Sequence, residues 1–83
     1  MHEDDIKERV RDAFFTTFPN LKEEDFGFDK TAEDFEEWDS LSHMTLVSEL
    51  EKEFGVSMEI DEISEMDSVR NVVEVLKKKL GGS

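Results

Sequence analysis

Apolar side chains recur along this chain at the spacing of amphipathic α-helices. In the first such segment, the positions that fall on one stripe at about 100° per residue are Ile6, Val10, Ala13, Phe14 and Thr17. Pro19 predicts the end of this helix, because the residue before a proline is driven out of the helical region. The acidic residues 3–5 favour a helix start, where anions meet the positive end of the helix dipole.

A second helix is predicted from about Ser40 to Phe54, with Gly55 as its C-terminal stop. The apolar residues on its core-facing side are Leu46, Val47, Leu50 and Phe54. Leu41 and Met44 lie on the opposite side among polar residues, so burial in the domain does not explain them.

Two further helical segments follow. A spacing of three between apolar residues predicts a short third helix through Ile60, Ile63 and Met66. The last helix is predicted to begin at Ser68, and its apolar stripe consists of Val69, Val72, Val73, Leu76 and Leu80. No segment shows the alternation of a strand. The sequence therefore predicts an all-α fold, a small bundle of three longer helices and one short helix with a long loop between the first two.

The predicted loop between the first two helices spans residues 19–39. It carries nine acidic residues against two basic ones, which gives it a local charge of −7. Its aromatic residues are Phe26, Phe28, Phe35 and Trp38. Long loops without structure are uncommon in compact domains, and these side chains predict that the loop is pinned to the core.

Length and composition bound what this chain can be. Its 83 residues make one small domain with little room for a buried catalytic pocket. The absence of cysteine excludes disulfides, thiolate metal sites and a cysteine nucleophile. No apolar run approaches the roughly 20 residues that a membrane span requires, and the N-terminus is too charged for a signal peptide. We expect a soluble, cytoplasmic monomer without a membrane span.

The net charge of −13 indicates which classes of macromolecule this chain can bind. Contacts to phosphates need Lys and Arg side chains, so nucleic acid and anionic membranes are disfavoured. A field of this sign favours protein partners with basic surfaces.

Candidate catalytic and metal sites are few. A nucleophilic Ser40 would need a base. His43 lies about one turn away on the core-facing side, where a packed and hydrogen-bonded histidine is the commoner outcome. The acidic run over residues 25–36 fails the EF-hand pattern, because Lys30 stands where the sharp turn requires glycine. We therefore predict no catalytic residue, no metal site and no enzymatic activity.

The segment Asp39-Ser40-Leu41 allows two interpretations. Asp and Ser before an apolar-periodic segment are typical of a helix N-cap, yet an exposed serine there can also be a modification site. The segment at residues 67–69 has nearly the same form and opens the last predicted helix. The three residues alone therefore do not distinguish a cap from an attachment site.

The arrangement as a whole resembles the acyl carrier protein family, the carriers modified with 4′-phosphopantetheine, over about residues 4–80. Its specific part is "WDSLSHMTLVSELEKEFGV", with the long acidic loop before it. The resemblance implies one carrier domain, which we expect over residues 1–80, and the run of small residues at 81–83 predicts a flexible tail. It also implies that Ser40 carries a phosphopantetheine, which a separate phosphopantetheinyl transferase takes from coenzyme A. The terminal thiol of that arm then holds an acyl group as a thioester.

The resemblance further implies roles for the residues around Ser40. Asp39 and Leu41 complete the attachment motif. The outer face of the second helix would dock acyl-transferring or acyl-modifying enzymes with basic surfaces. The residues of this docking face are Leu41, Met44, Thr45, Ser48 and Glu51.

Two departures from the family pattern bear on the pathway. Carriers of fatty-acid synthesis usually have a glycine and a small residue where this chain has Glu37-Trp38, and their second helix has a more acidic outer face. These differences favour a specialised carrier of a polyketide, lipid-modification or other dedicated pathway over the housekeeping fatty-acid carrier. The alternatives are an aminoacyl or D-alanyl carrier and an unmodified acidic helical interaction domain.

Overall fold

The computed structural model describes residues 2–81, and within them the chain forms four α-helices. They are α1 (Glu3–Thr17), α2 (Ser40–Phe54), α3 (Ile60–Glu65) and α4 (Val69–Lys79). The predicted all-α bundle of three longer helices and one short helix is confirmed. Each described helix falls short of the length and apolar character needed to cross a bilayer. Apart from Gly81, the predicted tail at residues 81–83 lies outside the described residues.

The helix ends follow the predicted signals. Gly55 takes left-handed backbone angles (φ 65°, ψ 37°), which suit glycine, and its N–H donates to the Glu51 carbonyl at 2.8 Å. α1 ends at Thr17, two residues before Pro19. α4 begins one residue later than predicted, because Ser68 is its N-cap and not its first helical residue.

The helices share one apolar core. α1 packs against both α2 and α4, and α3 packs against α4. The side chains with no exposed area are Val10, Phe14, Leu46, Leu50, Met66, Val69, Val72 and Leu76. The predicted inner faces of α1, α2 and α4 are thereby confirmed. Full burial of one such large apolar side chain contributes about 1.5–3 kcal/mol, so this cluster is what holds the bundle together.

The loop between α1 and α2 is pinned to the core by its aromatic residues, as predicted. Phe35 and Trp38 are buried, while Phe26 and Phe28 are half-buried. The ring of Phe14 in α1 contacts three of them, with ring centroids 5.3 Å from Trp38, 5.6 Å from Phe26 and 5.8 Å from Phe35. These contacts therefore fix the conformation of the loop where it leads into α2.

A short antiparallel bridge attaches the same loop to the start of α4. The Ala32 N–H donates to the Asp67 carbonyl at 2.9 Å, and the Val69 N–H donates to the Lys30 carbonyl at 3.0 Å. The loop also contains two 3₁₀ turns, Glu23–Asp25 and Ala32–Asp34. The loop that leads into α2 is therefore also hydrogen-bonded to the start of α4.

Ion pairs tie α4 to α1 and α3. Lys77 Nζ lies 2.6 Å from a Glu3 carboxylate oxygen, and Lys79 Nζ lies 2.8 Å from Glu62. The hydrogen bond from each lysine is the main reason that the pKa of its partner carboxyl is lowered. These lysines stand at the C-terminal end of α4, where cations also suit the helix dipole.

Candidate functional site

Asp39 is the N-cap of α2. Its backbone is extended (φ −107°, ψ −172°), and its Oδ1 accepts a hydrogen bond of 2.9 Å from the Ser42 N–H. This bond satisfies one of the N–H groups that the first turn of a helix leaves without a partner. The bond from the Ser42 N–H, followed by one from the Ser42 hydroxyl, holds the pKa of the Asp39 carboxyl below its ordinary value.

Ser40 is the first residue of α2 and is exposed to solvent. Because Asp39 already caps the helix, the Ser40 hydroxyl is not needed for that purpose. Its position favours a negatively charged substituent such as a phosphate, since the N–H groups of the first turn and the helix dipole both present positive charge there. A substituent on this hydroxyl would leave the cap intact.

The similar segment at the start of α4 is built differently. There Ser68 itself is the N-cap, and its Oγ accepts a hydrogen bond of 3.1 Å from the Asn71 N–H. Asp67 does not cap this helix, and its carboxylate accepts a bond of 2.8 Å from the Asn71 side-chain amide. Ser68 is half-buried, whereas Ser40 is exposed. The two Asp-Ser pairs therefore differ by one residue in helix register, and only Ser68 uses its hydroxyl as a cap.

His43 is held by hydrogen bonds on both sides of its ring. The Trp38 indole Nε1–H donates to His43 Nδ1 at 2.8 Å, and His43 Nε2 lies 2.8 Å from the Ile63 carbonyl oxygen. An indole nitrogen can only donate, so Nδ1 accepts and the ring hydrogen is on Nε2, which donates to the carbonyl. The interpretation of His43 as a packed, hydrogen-bonded residue is confirmed. Neither ring nitrogen is available as a base for Ser40.

An open groove of about 510 Å³ adjoins Ser40, between the start of α2, the end of α3 and the start of α4. The buried and half-buried apolar residues that form its floor are Ala32, Trp38, Ile63 and Met66. The exposed polar residues on its rim, besides Ser40, are Asp39, Ser64 and Asp67. A groove of this kind can receive a slender chain that carries amide groups, because rim oxygens can accept hydrogen bonds from amide N–H groups and the floor can contact methylene groups.

The predicted docking residues on α2 lie mostly on its solvent side. Leu41 is 79% exposed and Met44 is 52% exposed, although both are large and apolar. Thr45 and Ser48 are exposed beside them, and the Thr45 hydroxyl donates to the Leu41 carbonyl at 3.3 Å. The predicted phase of the helix is therefore confirmed.

Glu51 has an additional contact that the helical pattern does not indicate. Its Oε2 accepts a hydrogen bond of 2.8 Å from the Met58 N–H, and the side chain is half-buried. The residue therefore ties the end of α2 to the segment that leads into α3.

The acidic loop uses several of its carboxylates locally. Asp34 Oδ2 accepts a bond of 2.9 Å from the Thr31 N–H and closes the second 3₁₀ turn, while Glu23 pairs with Arg11 of α1. Within residues 2–81, no group of three His, Asp or Glu side chains is placed to hold a metal ion.

The link from Trp38 through His43 to Ile63 is the part of the site that the sequence pattern does not predict. One half of it has a local signal, because a buried indole N–H usually finds an acceptor and His43 follows five residues after Trp38. The other half joins His43 to a backbone carbonyl 20 residues away, for which no local pattern exists.

Comparison with known proteins gives two findings for this chain. A family model described as a phosphopantetheine attachment site matches residues 8–76. The chain is also similar to an acyl carrier protein of Petrotoga mobilis, with 31% identity over 80 residues. That alignment covers 96% of this chain and 93% of the relative.

Proposed function

The chain belongs to the family of acyl carrier proteins, which bear a covalent 4′-phosphopantetheine, and we propose that Ser40 is the residue that carries it. The observation behind this assignment is the division of roles at the start of α2. Asp39 caps the helix, which leaves the exposed Ser40 hydroxyl free to react. Ser68 is the alternative in a similar segment, but it uses its own hydroxyl as a cap.

Attachment at Ser40 is a group transfer from coenzyme A. A bond forms between Ser40 Oγ and phosphorus, the pyrophosphate bond of coenzyme A breaks, and adenosine 3′,5′-bisphosphate leaves. The hydroxyl proton must pass to a base, and both ring nitrogens of His43 are engaged with Trp38 and Ile63. We therefore assign the base, and the catalysis, to a separate phosphopantetheinyl transferase.

The proposed role after attachment is to hold acyl intermediates as thioesters and present them to enzymes. The bound group supplies the terminal thiol, which this chain without cysteine does not have. The residues of the chain would position that group, because the N–H groups of the first turn of α2 would face the phosphate and the groove beside Ser40 would receive the arm.

We propose that partner enzymes dock on the outer face of α2. Leu41 and Met44 are exposed apolar side chains within one turn of Ser40, and apolar anchors of this kind dominate small interfaces. Thr45, Ser48 and Glu51 would supply polar contacts around them. The net charge of −13 favours enzymes whose docking surfaces are basic, including the transferase.

We propose a specialised carrier and not the housekeeping carrier of fatty-acid synthesis. Trp38, at a position where such carriers usually have a small residue, is buried and hydrogen-bonded to His43. The large side chain of Trp38 thus packs beside the proposed attachment site and holds His43 in place. An aminoacyl or D-alanyl cargo would use the same Ser40, and the enzyme that loads the thiol would distinguish it.

Incubation of the unmodified protein with coenzyme A and a promiscuous phosphopantetheinyl transferase tests the proposal. We expect intact-mass spectrometry to show one added phosphopantetheine on the native protein and on Ser68→Ala, and none on Ser40→Ala. An unchanged mass of the native protein with several transferases, or continued loading of Ser40→Ala, would refute the assignment.

A further inference from the structure

One hydrogen bond joins α2 to α3, and a second joins α2 to the segment that leads into α3. Near Ser40, His43 Nε2–H donates to the Ile63 carbonyl at 2.8 Å. At the far end, the Met58 N–H donates to the Glu51 carboxylate, also at 2.8 Å. The first of these links is reinforced from the loop side, because Trp38 donates to the other nitrogen of His43 and its ring stacks on the imidazole, with centroids 5.9 Å apart.

The three residues of the link, Trp38, His43 and Ile63, all line the groove. Met66 lines the groove and belongs to the buried apolar cluster, so the interior begins directly beneath the groove floor. Ser40 lies on the rim of the same groove. An arm attached at Ser40 can therefore reach the interior through this groove only by displacing residues that line it, and the link holds three of these, Trp38, His43 and Ile63, together.

Displacement of His43 would carry a specific cost. The Trp38 indole N–H would lose its hydrogen-bond partner, and the Ile63 carbonyl would keep only the bond of 3.3 Å from the Met66 N–H. Trp38 is only 8% exposed. Buried polar groups that lose a partner are destabilising unless water replaces it. A long alkyl chain gains stability in proportion to the apolar area that it removes from water, but here that gain is opposed by the loss of two hydrogen bonds.

We propose that the Trp38–His43–Ile63 link prevents the cargo from entering the apolar core. This inference rests on the proposed attachment at Ser40. The arm and a short or polar acyl group then lie in the surface groove, against its apolar floor and the oxygens of its rim. His43 is thereby a specificity-determining residue, which disfavours long alkyl cargo by positioning Trp38 and Ile63. The cargo class of this carrier is short or polar acyl groups.

A chain-length series tests this proposal. The native protein is loaded at Ser40 from coenzyme A analogues that carry amide-linked acetyl or octanoyl groups, so that the cargo does not hydrolyse. Intact-mass spectrometry establishes full loading before each measurement. The readouts are the melting temperature and the emission of Trp38, which is the single tryptophan and lines the groove.

For the native protein we expect equal melting temperatures with the two cargoes. We also expect Trp38 emission to change when the acetyl-loaded arm is attached, because the arm lies against the groove floor. His43→Ala opens the link, and in this variant the octanoyl form should melt about 4 °C or more above the acetyl form. His43→Ser serves the same purpose and retains a polar group beside Trp38 in case the alanine variant does not fold.

Glu51→Ala is the matched control. It removes the hydrogen bond between the end of α2 and the segment that leads into α3, which has the same length but lies away from Ser40. The two cargoes should therefore still give equal melting temperatures. Octanoyl stabilisation of the native protein, no chain-length effect in either His43 variant, or unchanged Trp38 emission on loading would overturn the proposal. Failure of the native protein to gain any mass is a distinct result, because it would contradict the attachment at Ser40 itself.

Discussion

The Asp39 carboxylate accepts a hydrogen bond of 2.9 Å from the backbone N–H of Ser42, which makes Asp39 and not Ser40 the cap of α2. A cap is a structural requirement, whereas an attachment site has to expose a reactive hydroxyl. Because Asp39 forms the cap, the proposed modification of Ser40 would leave the helix start intact. At the start of α4 the cap is the serine, so Ser68 does not have this freedom.

This difference predicts opposite outcomes for two serine substitutions. Ser40→Ala should change the free energy of unfolding by no more than about 0.5 kcal/mol, because the residue is exposed and does not cap. Ser68→Ala should lower it by roughly 0.5–2 kcal/mol, the usual loss for removing a cap. Urea unfolding followed by circular dichroism measures both. Equal losses for the two variants would mean that Ser40 contributes to the cap after all.

The Asp39 cap should also depend on pH. Hydrogen bonds from Ser42 lower the pKa of Asp39 in the folded protein, so its stabilising contribution is present above the unfolded-state value and is lost as pH falls through the folded-state value. Asparagine caps helices about as well but does not titrate. We expect the native protein to lose stability relative to Asp39→Asn below about pH 4. Melting curves of both proteins from neutral to acid pH provide the measurement, and a constant difference would contradict the prediction.

Two substitutions on α2 separate docking from packing. Met44→Ala should change stability by no more than about 0.5 kcal/mol, because the side chain is largely exposed, yet it should slow loading or acyl transfer. Leu50→Ala should cost about 2–5 kcal/mol through the cavity it leaves in the core, with little effect on transfer while the protein stays folded. Melting curves beside transfer rates test both. If Met44→Ala destabilises as much as Leu50→Ala, the proposed docking face is wrong.

Ionic strength should stabilise the protein. Seven ion pairs within the described residues engage Lys7, Arg9, Arg11, Lys52, Lys77 and Lys79 with acids, yet the net charge of −13 leaves many acids without a partner. Screening of their repulsion should raise the melting temperature between about 10 mM and 150 mM salt. Magnesium at matched ionic strength should act like sodium. A melting temperature that does not change with salt concentration would show that internal pairing already neutralises the acids.

Helix boundaries and faces could be predicted because their causes are local. Gly55 stops α2 through its own backbone conformation, and Pro19 prevents α1 from continuing. The exposed positions of Leu41 and Met44 follow from helix geometry once the buried side of α2 is known. Each of these features depends on residues within a few turns of one another.

The remaining features join residues that are distant in sequence. The bridge from the loop to α4 brings Ala32 to Asp67, and the link at His43 reaches Ile63. The assignment of the cap to Asp39 depends on a one-residue difference in register, which an Asp-Ser pair does not reveal. Ile60 is 81% exposed although its spacing matches Ile63 and Met66, because one short helix does not bury every position on its stripe.

Peptide mapping of the loaded protein tests the central assignment most directly. Trypsin should release residues 31–52, which contain Ser40, Ser42 and Ser48, separately from residues 53–70, which contain Ser68. We predict that the phosphopantetheine is on the first peptide and that fragmentation locates it on Ser40. A modified second peptide, or fragments that place the group on Ser42 or Ser48, would contradict the account.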